Sequence, residues 1–258
     1  MAFYKWKNEN ITLFKEALEL SKNLPKNQIL VRWRSNAIPT FPEELTKQPL
    51  PKNIEVRDQH YITTLIELAS QGVKPTIVCV ANDSIPGGNV QKGLSDTQEE
   101  ILCRVSNLYP SLMRTKNKNL YPMNNPFLIR DIVFFRNSQY QSMTPIYGDI
   151  LMSAPRYPKK YRSKLTAGGR IDMRKRIKKL IEIAVTNKSK YLILMAYGCD
   201  NNNPAHEIAN IFRQLLVLDK LCLMFEQIIF SIPVYHKIEN SSSHIMESPY
   251  PIFKTILE

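Results

Sequence analysis

The stretch that decides the fold is TIVCVANDSIPGGNVQKGLSDTQEEILCRVSNLYPSL, residues 76–112. Its first six residues, TIVCVA, form a short apolar run of the kind that lies inside a sheet covered on both faces. Between Asp83 and Asp96 the chain carries Pro86, Gly87, Gly88 and Gly93, the composition of a loop. From Gln98 onward Ile101, Leu102, Val105, Leu108 and Leu112 return at helical spacing. Ser95, Asp96 and Thr97 each stand three residues before a Gln or Glu, a strong capping-box signal for a helix start. The segment therefore predicts strand, glycine loop, helix.

Glycines in that position let a backbone approach a phosphate closely and aim its N–H groups at the anion. A two-glycine turn is also simply a common tight loop. The adjacent acids Glu99 and Glu100 sharpen the pattern, because they fall in the first turn of the helix that the loop feeds. Acids there also complement the helix dipole without any further role. From spacing and residue type alone, the segment describes a phosphate-binding α/β domain with a pair of carboxylates available for hydrolysis.

Outward from this segment, helical periodicity falls at about 10–22, 60–71, 98–113, 173–186, 204–218 and near the C-terminus. Strand-like runs fall at about 28–33, 76–81, 131–136, 149–154, 190–197 and 227–233. Strands alternating with helices predict an α/β sandwich with a largely parallel, mixed sheet. Residues 34–52 and 114–130, rich in Pro, Asn and Lys, read as loops. There is no internal repeat and no linker composition. The expected organisation is an N-terminal helical extension, 1–54, packed on one domain, 55–258. The 258 residues suffice for a substantial core. No apolar run nears the roughly 20 residues of a membrane span, and MAFYKWKNEN lacks the apolar core of a signal peptide. Four well-separated cysteines without metal-ligand spacing read as free core thiols in a reducing compartment, and the chain is expected to be intracellular, in cytoplasm or nucleus. His60, His206, His236 and His244 form no cluster, and no metal site is expected.

The formal net charge is +12, and it is concentrated. Residues 156–179 hold 11 Lys/Arg and one acid, Asp172. Within them Met173, Ile177, Leu180, Ile181, Ala184 and Val185 define one apolar helix face, leaving Arg174, Lys175, Lys178 and Lys179 on the other. Such a run is either a solvated face or a groove for a polyanion such as nucleic acid.

The order PGGN, eight residues, QEE resembles the signature of bacterial-type poly(ADP-ribose) glycohydrolases, which carry three glycines, six to eight residues and Gln-Glu-Glu. The similarity continues through LCRVSNLYPSL, DIVFFRN (131–137), ILMSAPRYP (150–158), 173–199, NPAHEIANIFRQLL (203–216) and QIIFSIP (227–233), in the family's order. Ala81-Asn82 resembles the Ala-Asn pair of macrodomains. The resemblance implies a macrodomain-like fold, a mixed β-sheet sandwiched between helices that binds ADP-ribose. It also implies hydrolysis of ribose–ribose bonds in poly(ADP-ribose), or of ADP-ribose attached to protein. Glu100 would be the catalytic acid/base, Glu99 would hold ribose hydroxyls, and Gln98 would support them. Gly87, Gly88 and Asn89 would cradle the diphosphate. The loop Gly198–Pro204, including Asn203, would form a second phosphate-facing turn, with Asn82, Val90 and Tyr197 also at the substrate. Neither metal nor cofactor is implied.

The chain departs from the pattern in four places. Asn89 replaces the third glycine, and Cys79 stands where relatives often have Asn. The second loop reads GCDNNNP instead of the typical GCGAFGNP, losing two glycines and an aromatic. Asp200 adds a negative charge near the expected diphosphate. An ADP-ribose-binding domain without turnover, and a nucleic-acid-binding protein using residues 156–179, are therefore carried as alternatives.

Overall fold

The computed structural model describes residues 2–25, 30–32, 49, 52–116, 120, 121, 123, 125–158, 160, 163–234 and 248–258. Most of the expected loop 34–52 lies outside these residues, as do Tyr161, His236 and His244. The described strands are β1 (Leu30–Arg32), β2 (Ile54–Arg57), β3 (Thr76–Val80), β4 (Phe127–Arg136), β5 (Ser142–Ser153), β6 (Tyr191–Leu194) and β7 (Gln227–Ser231). They form one sheet in the order β1-β4-β5-β3-β6-β7-β2. Pairing is parallel from β5 through β3, β6 and β7 to β2, and antiparallel between β4 and β5 and between β1 and β4. The sheet is thus mixed and largely parallel, as the strand–helix alternation predicts.

The helices are α1 (Ala2–Lys22), α2 (Tyr61–Ser70), α3 (Gln98–Val105), α4 (Leu108–Lys116), α5 (Ala167–Thr186), α6 (Ala205–Arg213) and α7 (Pro249–Leu257). Because successive side chains of a strand point to opposite faces, each central strand feeds two cores. Val78, Leu128, Leu151, Leu192, Leu194, Ile228 and Phe230 pack with α5, α6 and α7. Ile77, Cys79, Ile129, Ile150, Met152, Ile193 and Ile229 pack with α2, α3, α4 and Phe14 of α1. The apolar face of α5 is buried as its periodicity requires, and all four cysteines are free and buried. No described helix is long and apolar enough to cross a membrane.

Several elements differ from the pattern in the sequence. α1 begins at Ala2 instead of near residue 10, and β4 begins at Phe127, inside the expected loop 114–130. The apolar period 98–113 continues through what is in fact a break: Ser106 is extended (φ −148°, ψ 175°) and bridges to Phe134. Asn107 turns the gap into a strand substitute, donating its backbone N–H to Val133 O (3.2 Å) and accepting from Val133 N–H through Oδ1 (2.9 Å). Among the described residues β1 covers β4 from Phe127 to Ile129, and the chain between α3 and α4 borders β4 further along, at Val133 and Phe134. The strand signal at 149–154 covers only the second half of β5; its first half contains Pro145, and among the described residues it pairs with β4 alone. The four-residue, half-covered β2 is too short to carry an alternation signal.

Asn107→Ala should leave the Val133 amide buried and unpaired, lowering stability by about 1–3 kcal/mol. A urea titration should show an earlier midpoint with an unchanged slope; an unchanged midpoint would remove Asn107 as the needed partner of Val133.

Candidate active site

The site is built at the C-terminal end of β3, where strand gives way to the glycine loop. Ala81 N–H donates to Ser153 O on β5 (3.1 Å), so the alternate residues Val78 and Val80 direct their polar groups to the other side. There β6 pairs only as far as Ile77. Gln98 fills the gap: its Oε1 accepts from Val80 N–H (2.7 Å) and its Nε2 donates to Val78 O (3.0 Å). The first residue of α3 is thereby fastened to the strand that precedes the loop.

The next two residues fasten the loop itself. Glu99 is buried, with Oε2 accepting from Asn82 N–H and Oε1 from Gly87 N–H, each at 2.7 Å. Burial pushes its carboxyl up to about 7, against the pull of those two amides and assisted by the negative charge of Glu100. Glu100 accepts from Asn89 N–H (2.8 Å) and from the Ser95 hydroxyl (2.6 and 2.7 Å), and its Oε2 reaches back to Thr97 N–H at 3.4 Å, closing the capping box. Neighbouring helix residues point about 100° apart. Glu99 accordingly lies under the loop, whereas Glu100 borders a cleft of about 600 Å³.

That cleft brings together six of the expected residues: Asn82, Gly88, Asn89, Gln98, Glu100 and Gly198. Gly88 sits at φ +56°, and a Cβ there would stand 3.1 Å from Glu100 Oε1, so the missing side chain keeps the carboxylate open to the cleft. Asn89 has φ −97°, ordinary for any residue, so this substitution of the third glycine costs no backbone strain. Gly198, at φ +77°, opens the second turn on the opposite wall, with Asp200 and Asn201 beside it. Asp200 is exposed, and partial desolvation raises its carboxyl above the ordinary range.

Five expected residues do not border the cleft. Gly87 gives its N–H to Glu99, and Glu99 is itself held by backbone amides. Val90 is a core residue, fully buried because its loop folds into a short 3₁₀ turn over α3. Tyr197 is buried with its hydroxyl on Ser153 (2.8 Å). Asn203 is buried and ties the second turn together, its Nδ2 donating to Gly198 O and Arg156 O, each at 2.8 Å. Of the amides at residues 87–89, Gly88 N–H donates to Ile85 O (2.9 Å), and the other two serve the carboxylates.

Several supporting residues carried no local signal. Arg104, completely buried, donates to Asp96 Oδ1 (2.5 Å) and Ser95 O (2.7 Å) and lies 3.9 Å from Glu100 Oε2. Its main side-chain partner is thus Asp96. Asp96 is in turn held by Trp6 Nε1 (2.9 Å) and Asn10 Nδ2 (3.2 Å) of α1, so the N-terminal helix braces the turn before Gln98. Tyr157 borders the cleft and donates its hydroxyl to Ala81 O (2.7 Å). Among the described residues no three His, Cys, Asp or Glu side chains converge as a metal site.

A mixed sheet between two helical layers, with a glycine loop and paired carboxylates at the end of its central strand, defines a macrodomain-like hydrolytic domain. The profile for microbial-type PARG, catalytic domain, matches residues 6–144, and the chain belongs to that family. Its class of activity is accordingly poly(ADP-ribose) glycohydrolase. Among solved structures, it resembles poly(ADP-ribose) glycohydrolase from Thermomonospora curvata (17% identity, TM-score 0.77, covering 96% of this chain and 99% of that one). It also resembles the Deinococcus radiodurans enzyme in complex with ADP-ribose (19% identity, TM-score 0.70, covering 92% and 96%). At these identities the likeness establishes the fold. No curated protein matches the chain.

The raised carboxyl of Glu99 makes stability pH-dependent. The folded protein holds a proton there between about 4.5 and about 7 that the unfolded chain releases, so stability falls as pH rises through that window. At ~1.4 kcal/mol per pH unit the loss approaches about 3 kcal/mol and levels off above pH 7. His60, lowered to about 4 by burial, contributes in the opposite sense in any variant that retains it. Glu99→Gln should remove the first slope and leave the second, at the cost of a constant loss from an amide facing an amide. Urea unfolding from pH 4 to 9 reads the difference, and parallel profiles would contradict it.

Proposed function

We propose that the cleft receives the terminal ADP-ribose of the polymer, with Glu100 as the group that transfers the proton at the scissile linkage. The observation carrying this reading is that, of two adjacent buried carboxylates, Glu100 alone borders the cleft. Breaking a ribose–ribose bond develops positive charge at the anomeric carbon while the departing oxygen needs a proton. A protonated Glu100 supplies it, and the resulting carboxylate then accepts a proton from the attacking water. One acid/base acting on an anchored substrate differs from the two-carboxylate arrangement of most glycosidases. Glu99 is a positioning residue, fixing Asn82 and Gly87 at the two ends of the loop.

The diphosphate would pass between Gly88 and Gly198, the two turns without side chains on facing walls. Asn89 N–H, shared with Glu100, can be handed to a phosphate oxygen as the carboxylate turns to the ribose. Asp200 opposes this anion and is expected to weaken nucleotide affinity relative to a neutral loop. A nucleic-acid partner for the face of α5 draws little support: Arg170, Arg174 and Arg176 are engaged by Glu207 (2.7 Å), Asp219 (2.9 Å) and Asp172 (3.2 Å).

Glu100→Gln should lower the rate of ADP-ribose release from poly(ADP-ribose) by roughly 10²–10⁴-fold. Calorimetric affinity for free ADP-ribose should stay within a few-fold; equal turnover by this variant and the wild type would defeat the assignment. Asp200→Asn should tighten ADP-ribose binding several-fold, and weaker binding would place the diphosphate elsewhere.

A further inference from the structure

A second cavity, about 430 Å³, lies on the far side of the Gly198–Pro204 turn from the cleft. Asp200 and Asn201 face the cleft, whereas Asn202 and Pro204 line the second cavity, so one short turn separates the two spaces. Arg156, Lys160 and Lys164 also line it. The cations along α5 mostly have acidic partners; among the described residues these three make no side-chain hydrogen bond or ion pair. Three like charges around one space repel each other in a free protein, and an anion between them relieves that repulsion.

The placement of Arg156 depends on a missing side chain. Its Nη1 occupies the position beside Gly169 in the first turn of α5, where an added Cβ would come within 2.1 Å. Gly169 has an ordinary helical backbone, so alanine there is compatible with the helix and would act by displacing the guanidinium. Arg156 is also anchored through its carbonyl, which accepts from Asn203 of the separating turn (2.8 Å).

We infer that this cavity is a polymer subsite, taking the diphosphate of the ADP-ribose unit that adjoins the one in the cleft. The inference rests on the proposed reading of the cleft and extends it from a terminal unit to a chain. Poly(ADP-ribose) repeats a diphosphate in every unit, so a second anion site one turn away from the first distinguishes polymer from free ADP-ribose. It also gives a role to cations that the chemistry at Glu100 does not use.

The test uses fluorescence anisotropy with labelled poly(ADP-ribose) of defined length, and calorimetry with free ADP-ribose. Both are applied to the Glu100→Gln protein with and without Arg156→Ala, Lys160→Ala and Lys164→Ala. Polymer affinity should fall at least tenfold and the slope of log affinity against log salt should lessen by about 2, the value for three cations on a single strand. Affinity for free ADP-ribose should remain within about twofold. Gly169→Ala should reproduce part of the polymer loss without lowering the melting temperature. Equal losses for polymer and monomer, no loss for either, or equal displacement of the polymer by single-stranded DNA of matched charge would each overturn the subsite. Polymer cleavage by Glu100→Gln would instead defeat the proposed role of Glu100, and anisotropy read before turnover would still test the cavity.

Discussion

Two carboxylates side by side in a buried helix start need hydrogen-bond donors, and the glycine loop is the nearest source. An uncompensated buried charge is prohibitive. Here Glu99 draws on the amides of Asn82 and Gly87, and Glu100 on Asn89, Ser95 and Thr97. The loop takes its shape from these bonds, and the bonds exist because the helix begins where Gln98 is pinned to β3. Strand, loop and helix are one unit, and a change at any of the three residues Gln98, Glu99 or Glu100 is felt in all of it.

The rest of the fold supports that unit from outside. Arg104 links Ser95 and Asp96 to the helix interior, and α1 reaches across with Trp6 and Asn10 to hold Asp96. Arg136, at the end of β4, donates to Arg104 O and Leu13 O (2.9 Å each) and to Glu16 (2.6 Å), tying α1 to both the sheet and α3. The N-terminal helix therefore contributes to the ordering of the site without entering the cleft.

Much of this was legible in the chain. TIVCVA, the three glycines and the Q-E-E triplet announce strand, loop and helix because their signals are local, and the cap at Thr97 follows from three-residue spacing alone. The direction of each carboxylate was not legible. Glu99 and Glu100 look alike in sequence, and only the packing of α3 under the loop turns one to backbone and the other to the cleft. Trp6 and Asp96 lie 90 positions apart, and nothing local marks Arg104 as a fully buried cation. Asn89 illustrates the opposite case: its φ is ordinary, so a position that looks like a lost glycine needed none of glycine's freedom. The break at Ser106 was hidden because the apolar period runs straight through it, and its reason lies in β4, some 28 residues on, which it bridges at Phe134.

The central claim is a division of labour between neighbouring glutamates. A crystal structure with ADP-ribose bound tests it most directly. The account requires a Glu100 oxygen within hydrogen-bond distance of the terminal ribose, with Glu99 still on the amides of Asn82 and Gly87. A complex in which Glu99 has left those amides for the ribose, while Glu100 stays locked to Ser95 and Thr97, would contradict it.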